Sequence, residues 1–161
     1  MIDSKQTPKP RIKREMDPLD RMVGYHIRRM SVIAMTDLAE ALAPLGLRPA
    51  SASALFLIGT RPGITQSELG KVLGILRANM TPVTSSLIAQ GLIERRPLDG
   101  RSQTLRLSAK GRETRRRALK ATLMHEERLF GTLSGADRMR LIAQLRDLWQ
   151  AREPAREGAA A

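Results

Sequence analysis

Arginines cluster on a short segment in which apolar and polar residues alternate. Residues 91–113 read GLIERRPLDGRSQTLRLSAKGRE, and the alternation predicts two strands, LIERRP and QTLRLS, joined by the turn LDGRS. Guanidinium groups bind DNA phosphates and are attracted into a narrow minor groove. We expect Arg101 at the turn to reach such a groove, with Asp99 holding it through a charge-assisted hydrogen bond. The alternative is an ordinary solvated turn, which three more arginines on the hairpin disfavour: Arg95, Arg96 and Arg106.

The segment before this hairpin, residues 65–91, has the spacing of a helix-turn-helix. Either Thr65 or Ser67 is expected to cap its first helix. Gly70 lets the two helices approach closely, and Gly74 supplies the positive φ that a tight turn requires. Five apolar residues fall at inward positions: Leu69, Leu73, Ile75, Met80 and Val83. The alternative is an ordinary pair of helices in a bundle, which the adjoining basic hairpin disfavours.

The outward face of the second helix carries small and hydroxyl side chains. A step of about 100° per residue places these outward: Ala78, Thr81, Pro82 and Ser85, flanked by Arg77, Asn79 and Ser86. With no carboxylate, this face can enter a major groove, and Ser102 and Gln103 beside the turn complete the predicted DNA-binding set. Because proline fits only the first helical turn, we expect Asn79 to be the N-cap, with DNA contact equally open for it. Otherwise the helix starts earlier and is kinked at Pro82.

The composition is that of one small, basic, helical domain. The 161 residues carry a formal net charge of +12, and the positive charge is concentrated in residues 76–117. Aromatic residues make up only 2%, so the core is aliphatic, which favours helices. There are no cysteines, which excludes disulfides and thiolate chemistry. No apolar run approaches the roughly 18 residues of a membrane helix, so we expect a cytoplasmic protein without a membrane partner.

The sequence offers no catalytic constellation. His26 and His125 lie far apart in the chain without a plausible third ligand, and there is neither a glycine-rich phosphate loop nor a serine-nucleophile elbow. We therefore expect no metal, no cofactor and no enzymatic activity.

Helices are predicted on both sides of the helix-turn-helix. On the N-terminal side, Asp17 and Pro18 are typical of an N-cap and a first helical residue, and the helix should continue to about Ala43, before Pro44 and Gly46.

Three further helices are predicted, one from Pro49 to Gly59, one following Gly111 to about Phe130, and a last one capped by Ser134. The last helix has an apolar stripe too wide for a free surface helix: Met139, Leu141, Ile142, Leu145, Leu148 and Trp149. A partner subunit would cover it; packing on the chain's own first helix is the alternative.

At these motifs the chain resembles the MarR family of bacterial transcriptional regulators. The resemblance runs from Gly24 to Trp149 and is most specific over residues 91–113, with GYHIRRM and PGITQSELGKVLGI as further matches. It implies a winged-helix homodimer that binds a pseudo-palindromic operator, usually as a repressor released by a small ligand. Two features depart from the family: the wing turn is about two residues shorter than usual, and Pro82 is unusual in a recognition helix.

The resemblance also implies a ligand pocket between the first two helices and the dimer partner. GYHIRRM offers Tyr25, His26, Arg28 and Arg29 there. The second helix supplies small residues, Ala52 and Ser53. This set suits a small aromatic acid, a phenol or a coenzyme A thioester, with a guanidinium pairing a carboxylate. The alternative is that the small residues allow close helix packing and that the arginines are solvated.

The sequence thus predicts a mainly α protein with a small β-hairpin. Its expected parts are a flexible basic arm at 1–16, a helical dimerisation region at 17–48 and 108–150, a winged helix-turn-helix domain at 49–107 and a disordered tail at 151–161. The expected function is ligand-responsive repression, with control of aromatic-compound catabolism. The alternatives are an effector-independent architectural DNA-binding protein and a helical protein-interaction module.

Overall fold

The computed structural model describes residues 18–99 and 102–152, and confirms a mainly helical fold with a two-stranded hairpin. The α-helices and strands are α1 Val23–Leu42, α2 Pro49–Thr60, α3 Gln66–Leu73, α4 Arg77–Ala89, β1 Ile93–Asp99, β2 Ser102–Leu107, α5 Ala109–Phe130 and α6 Gly135–Gln150. The chain divides into two compact units, one ending at Ala34 and one beginning at Met35. The predicted arm at 1–16 and most of the predicted tail lie outside the described residues.

The first helix starts later than predicted. Pro18–Arg21 forms a 3₁₀ turn, in which the Met22 backbone N–H donates to the Leu19 carbonyl at 3.0 Å, and α1 begins only at Val23. The predicted cap Asp17 lies outside the described residues. At the other end α1 stops at Leu42 and a second 3₁₀ turn, Ala43–Leu45, follows, so the predicted end is confirmed.

The end of α2 corrects a prediction about Gly59. The helix continues through Gly59 to Thr60, so this glycine does not end it. Its lack of a side chain serves packing instead, because a Cβ at Gly59 would overlap the side chain of Arg115 on α5. The last turn closes where the Arg61 backbone N–H donates to the Leu57 carbonyl at 2.8 Å.

A capping box fixes the start of α3. The Thr65 hydroxyl accepts from the Glu68 backbone N–H at 3.2 Å, and the Glu68 carboxylate accepts from the Thr65 backbone N–H at 2.8 Å. Thr65 is therefore the cap rather than Ser67. At the other end Gly74 adopts φ 62°, a left-handed conformation that glycine favours, which turns the chain toward α4.

The core lies in the unit that begins at Met35. Its largest fully buried side chains come from α1 to α4, the residue before β1, the hairpin and α5: Leu42, Leu55, Leu69, Met80, Thr84, Leu87, Leu92, Ile93, Leu105 and His125. The other predicted inward residues, Leu73, Ile75 and Val83, are partly buried and pack against this core. Gly70 was predicted to allow a close approach of the two helices, and it is buried, with a Cβ there lying 3.0 Å from the Ile75 carbonyl oxygen and 3.7 Å from the Met80 side chain.

Both strands of the hairpin extend closer to the turn than predicted. β1 continues to Asp99 and pairs antiparallel with β2, with Ile93 opposite Leu107 and Asp99 opposite Ser102. The register shifts between Pro97 and Asp99, which marks a β-bulge that accommodates one extra residue on β1. Residues 100 and 101, between the two strands, lie outside the described part of the chain.

The start of α5 corrects the prediction that this helix follows Gly111. The Ser108 hydroxyl caps it, accepting from the Gly111 backbone N–H at 2.9 Å and donating to the Gly91 carbonyl at 2.6 Å. Gly111 therefore lies in the first turn, where a Cβ would overlap the Leu92 carbonyl.

The last helix, α6, begins where the sequence predicts but buries none of its residues. The Ser134 hydroxyl accepts from the Asp137 backbone N–H at 3.1 Å, which confirms the predicted cap. All six residues of the predicted apolar stripe are exposed in the single chain, Trp149 by 51%. Among the described residues no single helix is long and apolar enough to cross a bilayer, although one bent pair, Val23–Leu45 with Pro49–Thr60, passes that test by length and composition.

Candidate DNA-binding site

The outward face of α4 is exposed and carries no carboxylate. Met80, Thr84 and Leu87 are buried on the opposite face. All residues predicted to face outward are exposed: Arg77, Ala78, Asn79, Thr81, Pro82, Ser85 and Ser86. The side chains offered here are one guanidinium, one amide, hydroxyls and small apolar groups. This chemistry suits contact with base edges and phosphates in a major groove.

The prediction that Asn79 caps α4 is wrong. The helix begins earlier, at Arg77, because the Leu76 carbonyl accepts from the backbone N–H groups of Asn79 and Met80 at 2.9 and 3.0 Å. Asn79 therefore lies in the first turn with an exposed side chain. Pro82 lies inside the helix and has no N–H to donate to the Ala78 carbonyl. This agrees with the alternative prediction that the helix starts before Asn79.

Gln66, in the first turn of α3, joins three elements of the site. Its Nε2 donates to the Thr81 hydroxyl at 3.0 Å, and its Oε1 accepts from the Thr84 hydroxyl at 3.0 Å. The same oxygen lies 3.5 Å from the donating Arg95 guanidinium on β1. Gln66 thus connects α3 to α4 and to an arginine of β1.

Sequence reasoning missed Gln66 and the buried Thr84. The hydrogen bonds that join Gln66 to Thr81, Thr84 and Arg95 span 15 to 29 residues of the chain, so no local pattern predicts them. A signal did exist for Thr84, because it follows Met80 by four residues and precedes Leu87 by three. That spacing puts Thr84 on the buried face of the helix.

A groove separates α3 and α4 from the wing. It has a volume of about 290 Å³ and is lined by Gln66, Ser67, Arg77, Arg95, Gln103 and Leu105. Two of these side chains are positively charged and none is negatively charged. The groove can therefore accept an anionic backbone without like-charge repulsion.

The two wing arginines differ in their partners. Successive residues on a strand point to opposite faces, so Arg95 and Arg96 diverge. Arg95 lines the groove, whereas Arg96 pairs with Glu94 at 2.9 Å on an exposed surface. Arg101, and the side chains of Asp99 and Ser102, lie outside the described part of the chain, so the hydrogen bond predicted between Asp99 and Arg101 stays a prediction.

Glu68, two residues after Gln66 on α3, is a negatively charged residue near the groove in sequence. The backbone N–H and hydroxyl of Thr65 both donate to its carboxylate and hold the pKa of Glu68 below its usual value. The charge of Glu68 is therefore committed to the capping box that fixes the first turn of α3.

The predicted ligand residues fall in two places. In the first unit, the His26 Nε2 donates to the Asp20 carbonyl at 2.9 Å, and Arg29 donates to the Tyr25 hydroxyl at 3.4 Å. The Tyr25 and His26 rings meet edge to face at 5.4 Å, while Arg28 is exposed. On α2, Ala52 is buried in the core and Ser53 is half-buried.

A buried histidine and two charged residues connect α1 to α5. Arg128 donates to the Asp37 carboxylate at 2.8 Å, and His125 Nδ1 lies 3.4 Å from the same carboxylate oxygen. The approach of His125 Nδ1 to Asp37 does not meet the geometry of a hydrogen bond. The Arg128 guanidinium holds the pKa of Asp37 below its usual value, with a smaller contribution from His125. Within 18–99 and 102–152, no three His, Cys, Asp or Glu side chains are grouped as metal ligands.

A helix-turn-helix followed by a basic hairpin defines the chain as a winged-helix DNA-binding protein. The sequence profile of the MarR family matches residues 45–102. The transcriptional repressor CouR, solved on a 23-mer DNA duplex, shares 36% identity and a TM-score of 0.78 over 83% of this chain and 96% of its own. The structure of CouR bound to p-coumaroyl-CoA shares 33% identity and a TM-score of 0.75 with this chain, over 84% of this chain and 97% of the CouR chain. The chain therefore belongs to the MarR family of transcriptional regulators, which are not enzymes.

Two further relatives widen this comparison. A transcriptional regulatory protein for the hcr operon of Thauera aromatica is 28% identical over 131 residues, which cover 80% of this chain and 79% of that protein. A MarR-family protein of Mycobacterium tuberculosis, solved in complex with salicylic acid, is 25% identical with a TM-score of 0.64, over 80% of this chain and 97% of its own.

Proposed function

We propose that the protein is a homodimeric repressor that binds a pseudo-palindromic operator and is released by a small aromatic acid, a phenol or a coenzyme A thioester. In this proposal residues 49–107 contact DNA, with α4 in the major groove and Arg101 of the wing in the minor groove. The regions 17–48 and 108–150 form the dimer. The target genes serve the breakdown of aromatic compounds.

The groove between α4 and the wing carries this proposal. Its polar and basic lining continues onto the carboxylate-free face of α4, and Gln66 connects the two surfaces through Thr81 and Arg95. A surface that combines a helix end, a guanidinium pair and uncharged donors matches what a DNA groove offers. The DNA-bound CouR structure, 36% identical to this chain, supports the same use of the fold.

The exposed apolar face of α6 supports a dimer. Leu145, Leu148 and Trp149 are each at least 40% exposed in the single chain, and Ile142 precedes them on the same helix. An apolar stripe of this kind is typical of a surface that a second subunit covers. Two linked winged-helix domains would then read two half-sites of one operator.

The ligand part of the proposal rests on Tyr25, His26, Arg28 and Arg29, with Ala52 and Ser53. Arg29 donates to the Tyr25 hydroxyl, and a guanidinium beside an aromatic ring can pair a carboxylate while the ring stacks on an aromatic ligand. Relatives support this chemistry, because CouR was solved with p-coumaroyl-CoA and the mycobacterial protein with salicylic acid.

The first experiment measures DNA binding by fluorescence anisotropy. Duplexes from the region upstream of the gene are compared with shuffled duplexes of the same composition. With roughly 6–10 phosphate contacts, affinity should fall about 10³–10⁵-fold between 50 and 200 mM salt. Equal affinity for both duplexes would favour the architectural alternative, and absence of salt-dependent binding would favour a protein-interaction module.

A matched pair of variants tests the wing. Arg101→Ala should weaken operator binding more than Arg152→Ala, which removes the same charge from an exposed residue after α6. Equal losses in the two variants would show that the wing turn does not reach the groove.

The ligand is tested by calorimetric titration of hydroxybenzoates, hydroxycinnamates and their coenzyme A esters, with and without operator. A tenfold loss of operator affinity requires about 1.4 kcal/mol of coupling, and operator must weaken ligand binding by the same factor. His26→Ala and Arg29→Ala should keep operator binding and lose this response. If no compound binds, the effector-independent alternative gains support.

A further inference from the structure

A cleft beside α5 combines an apolar wall with a row of cations. We propose that this cleft, here called the α5 cleft, binds the phosphate-bearing end of a coenzyme A thioester. The inference rests on the proposed function and deepens it, because it selects the thioester over the free aromatic acid as the effector.

The α5 cleft lies between the end of α1 and the first half of α5. It has a volume of about 630 Å³, within the range of about 300–1,000 Å³ that holds sizeable organic ligands. Its apolar wall consists of Ala41, Pro44, Leu45, Ala121 and Met124, and its charged wall of Glu113, Arg116, Arg117 and Lys120.

Two cations of the charged wall are not held by a hydrogen bond or an ion pair. Glu113 is paired by Arg116, whose guanidinium donates to both carboxylate oxygens at 2.6 and 2.9 Å and lowers the pKa of Glu113. In the described part of the chain, Arg117 and Lys120 make neither a hydrogen bond nor an ion pair, although the charge of Arg117 also contributes to the lowered pKa of Glu113. Both are exposed and both line the cleft.

The spacing of the cleft residues on α5 places them on one face of that helix. Glu113, Arg117, Lys120 and Met124 follow one another by four, three and four residues, so they lie on one face of α5. Two unpaired cations on one helical face repel each other, and a bound dianion or diphosphate relieves that repulsion. The cleft is thus charged for an anion of more than one unit.

Coenzyme A thioesters match both walls. The molecule joins an apolar acyl group and a pantetheine chain to a diphosphate and a ribose phosphate, whereas a free aromatic acid has a single carboxylate. The apolar wall suits the chain and Arg117 and Lys120 suit the phosphates. The p-coumaroyl-CoA complex of CouR, at 33% identity, supports a ligand of this class.

The test compares three proteins by calorimetry at fixed salt: the full chain, the double variant Arg117→Ala with Lys120→Ala, and a control with Arg146→Ala and Arg152→Ala. The control removes the same charge from exposed positions on and after α6. Each is titrated with p-coumaroyl-CoA, coenzyme A and p-coumarate. Because hydrogen bonds to charged groups are the strong ones, we expect at least about a tenfold loss of affinity for both coenzyme A compounds in the double variant. The control should lose none, and the p-coumarate titrations should not differ.

Three results would overturn the inference. The first is equal affinity of all three proteins for p-coumaroyl-CoA, and the second is binding of p-coumarate but not of coenzyme A compounds by the full chain. The third is a loss of operator affinity in the double variant beyond that of the control, because these cations would then serve DNA phosphates.

Further variants keep the test decisive. If circular dichroism shows that the double variant fails to fold, Lys120→Gln is used alone. The conservative variant Arg117→Lys keeps the positive charge and should bind the thioester as the natural chain does. If the full chain shows no sequence-specific operator binding, the proposed function is rejected. The coenzyme A titrations would still decide this inference separately.

Discussion

The winged helix-turn-helix and the last helix differ in how far their apolar residues are buried. Leu69, Met80 and Leu105 are at most 1% exposed, whereas α6 has no buried residue at all. Burial of apolar surface stabilises a fold by about 25 cal/mol per Å². The DNA-binding part therefore completes its core with residues of its own chain, while α6 gains this stabilisation only against a second surface. The stability of the DNA-binding part and the formation of the dimer should thus respond to different substitutions.

The largest effect is expected for Leu105→Ala. Leu105 is fully buried on β2, and its backbone N–H donates to the Ile64 carbonyl at 2.9 Å, so the cavity opens where the wing meets the loop before α3. The free energy of unfolding in urea should fall by about 2–5 kcal/mol at every protein concentration. For the matched variant Leu148→Ala on α6, the loss should vary with protein concentration. Equal and concentration-independent losses would remove the distinction between the two regions.

Leu145→Asp should separate assembly from folding. A carboxylate in the middle of the apolar stripe opposes dimer formation, so sedimentation should show monomers while circular dichroism retains the helices. Operator affinity should fall about 10²-fold, because two half-sites are no longer bound by one linked molecule. Gln144→Asp adds the same charge one residue away and serves as the control. A Leu145→Asp dimer with full operator affinity would contradict the proposed role of α6.

Local signals explain why much of this fold could be predicted from the sequence. Thr65, Gly74 and Ser134 act on neighbours within four residues, and the structure confirms each of them. Asn79 failed as a cap although its type favours capping, because backbone hydrogen bonds to the Leu76 carbonyl already start the helix. Residue preference for a cap is a weak constraint once packing of Met80 fixes the helix.

The contacts that build the site could not be predicted in the same way. Gln66 binds residues on α4 and β1, and only the folded chain brings these elements together. The length of the wing also escaped prediction, because β1 passes through Pro97 and a bulge before it ends at Asp99. The exposed face of α4 was predicted correctly, since helical periodicity alone determines it.

Pro82→Ala should stabilise the DNA-binding part. Alanine restores an N–H for the Ala78 carbonyl and relieves an interior proline, and the greater freedom of the unfolded chain offsets part of this gain. We expect the free energy of unfolding to rise by about 1–2 kcal/mol. Ser85→Ala, at another exposed position of the same helix, should change it by less. A destabilised Pro82→Ala variant would show that α4 is adapted to its proline.

Asp37→Asn should have the smallest effect and one that depends on pH. The folded pKa of Asp37 lies below the usual 3.8 because Arg128 donates to its carboxylate. A depressed folded pKa means that the charged form stabilises the fold above pH 3.8, and that this stabilisation is lost as the pH falls through the lower value. The variant should therefore be less stable than the natural chain at pH 7, with the two urea midpoints converging below pH 3.8. Asp147→Asn on α6, where the described residues form no ion pair with Asp147, should follow the natural chain throughout. If the Asp37→Asn and natural curves ran parallel down to pH 3, the contact between α1 and α5 would not depend on this charge, and the helical region would rest on its apolar surfaces alone.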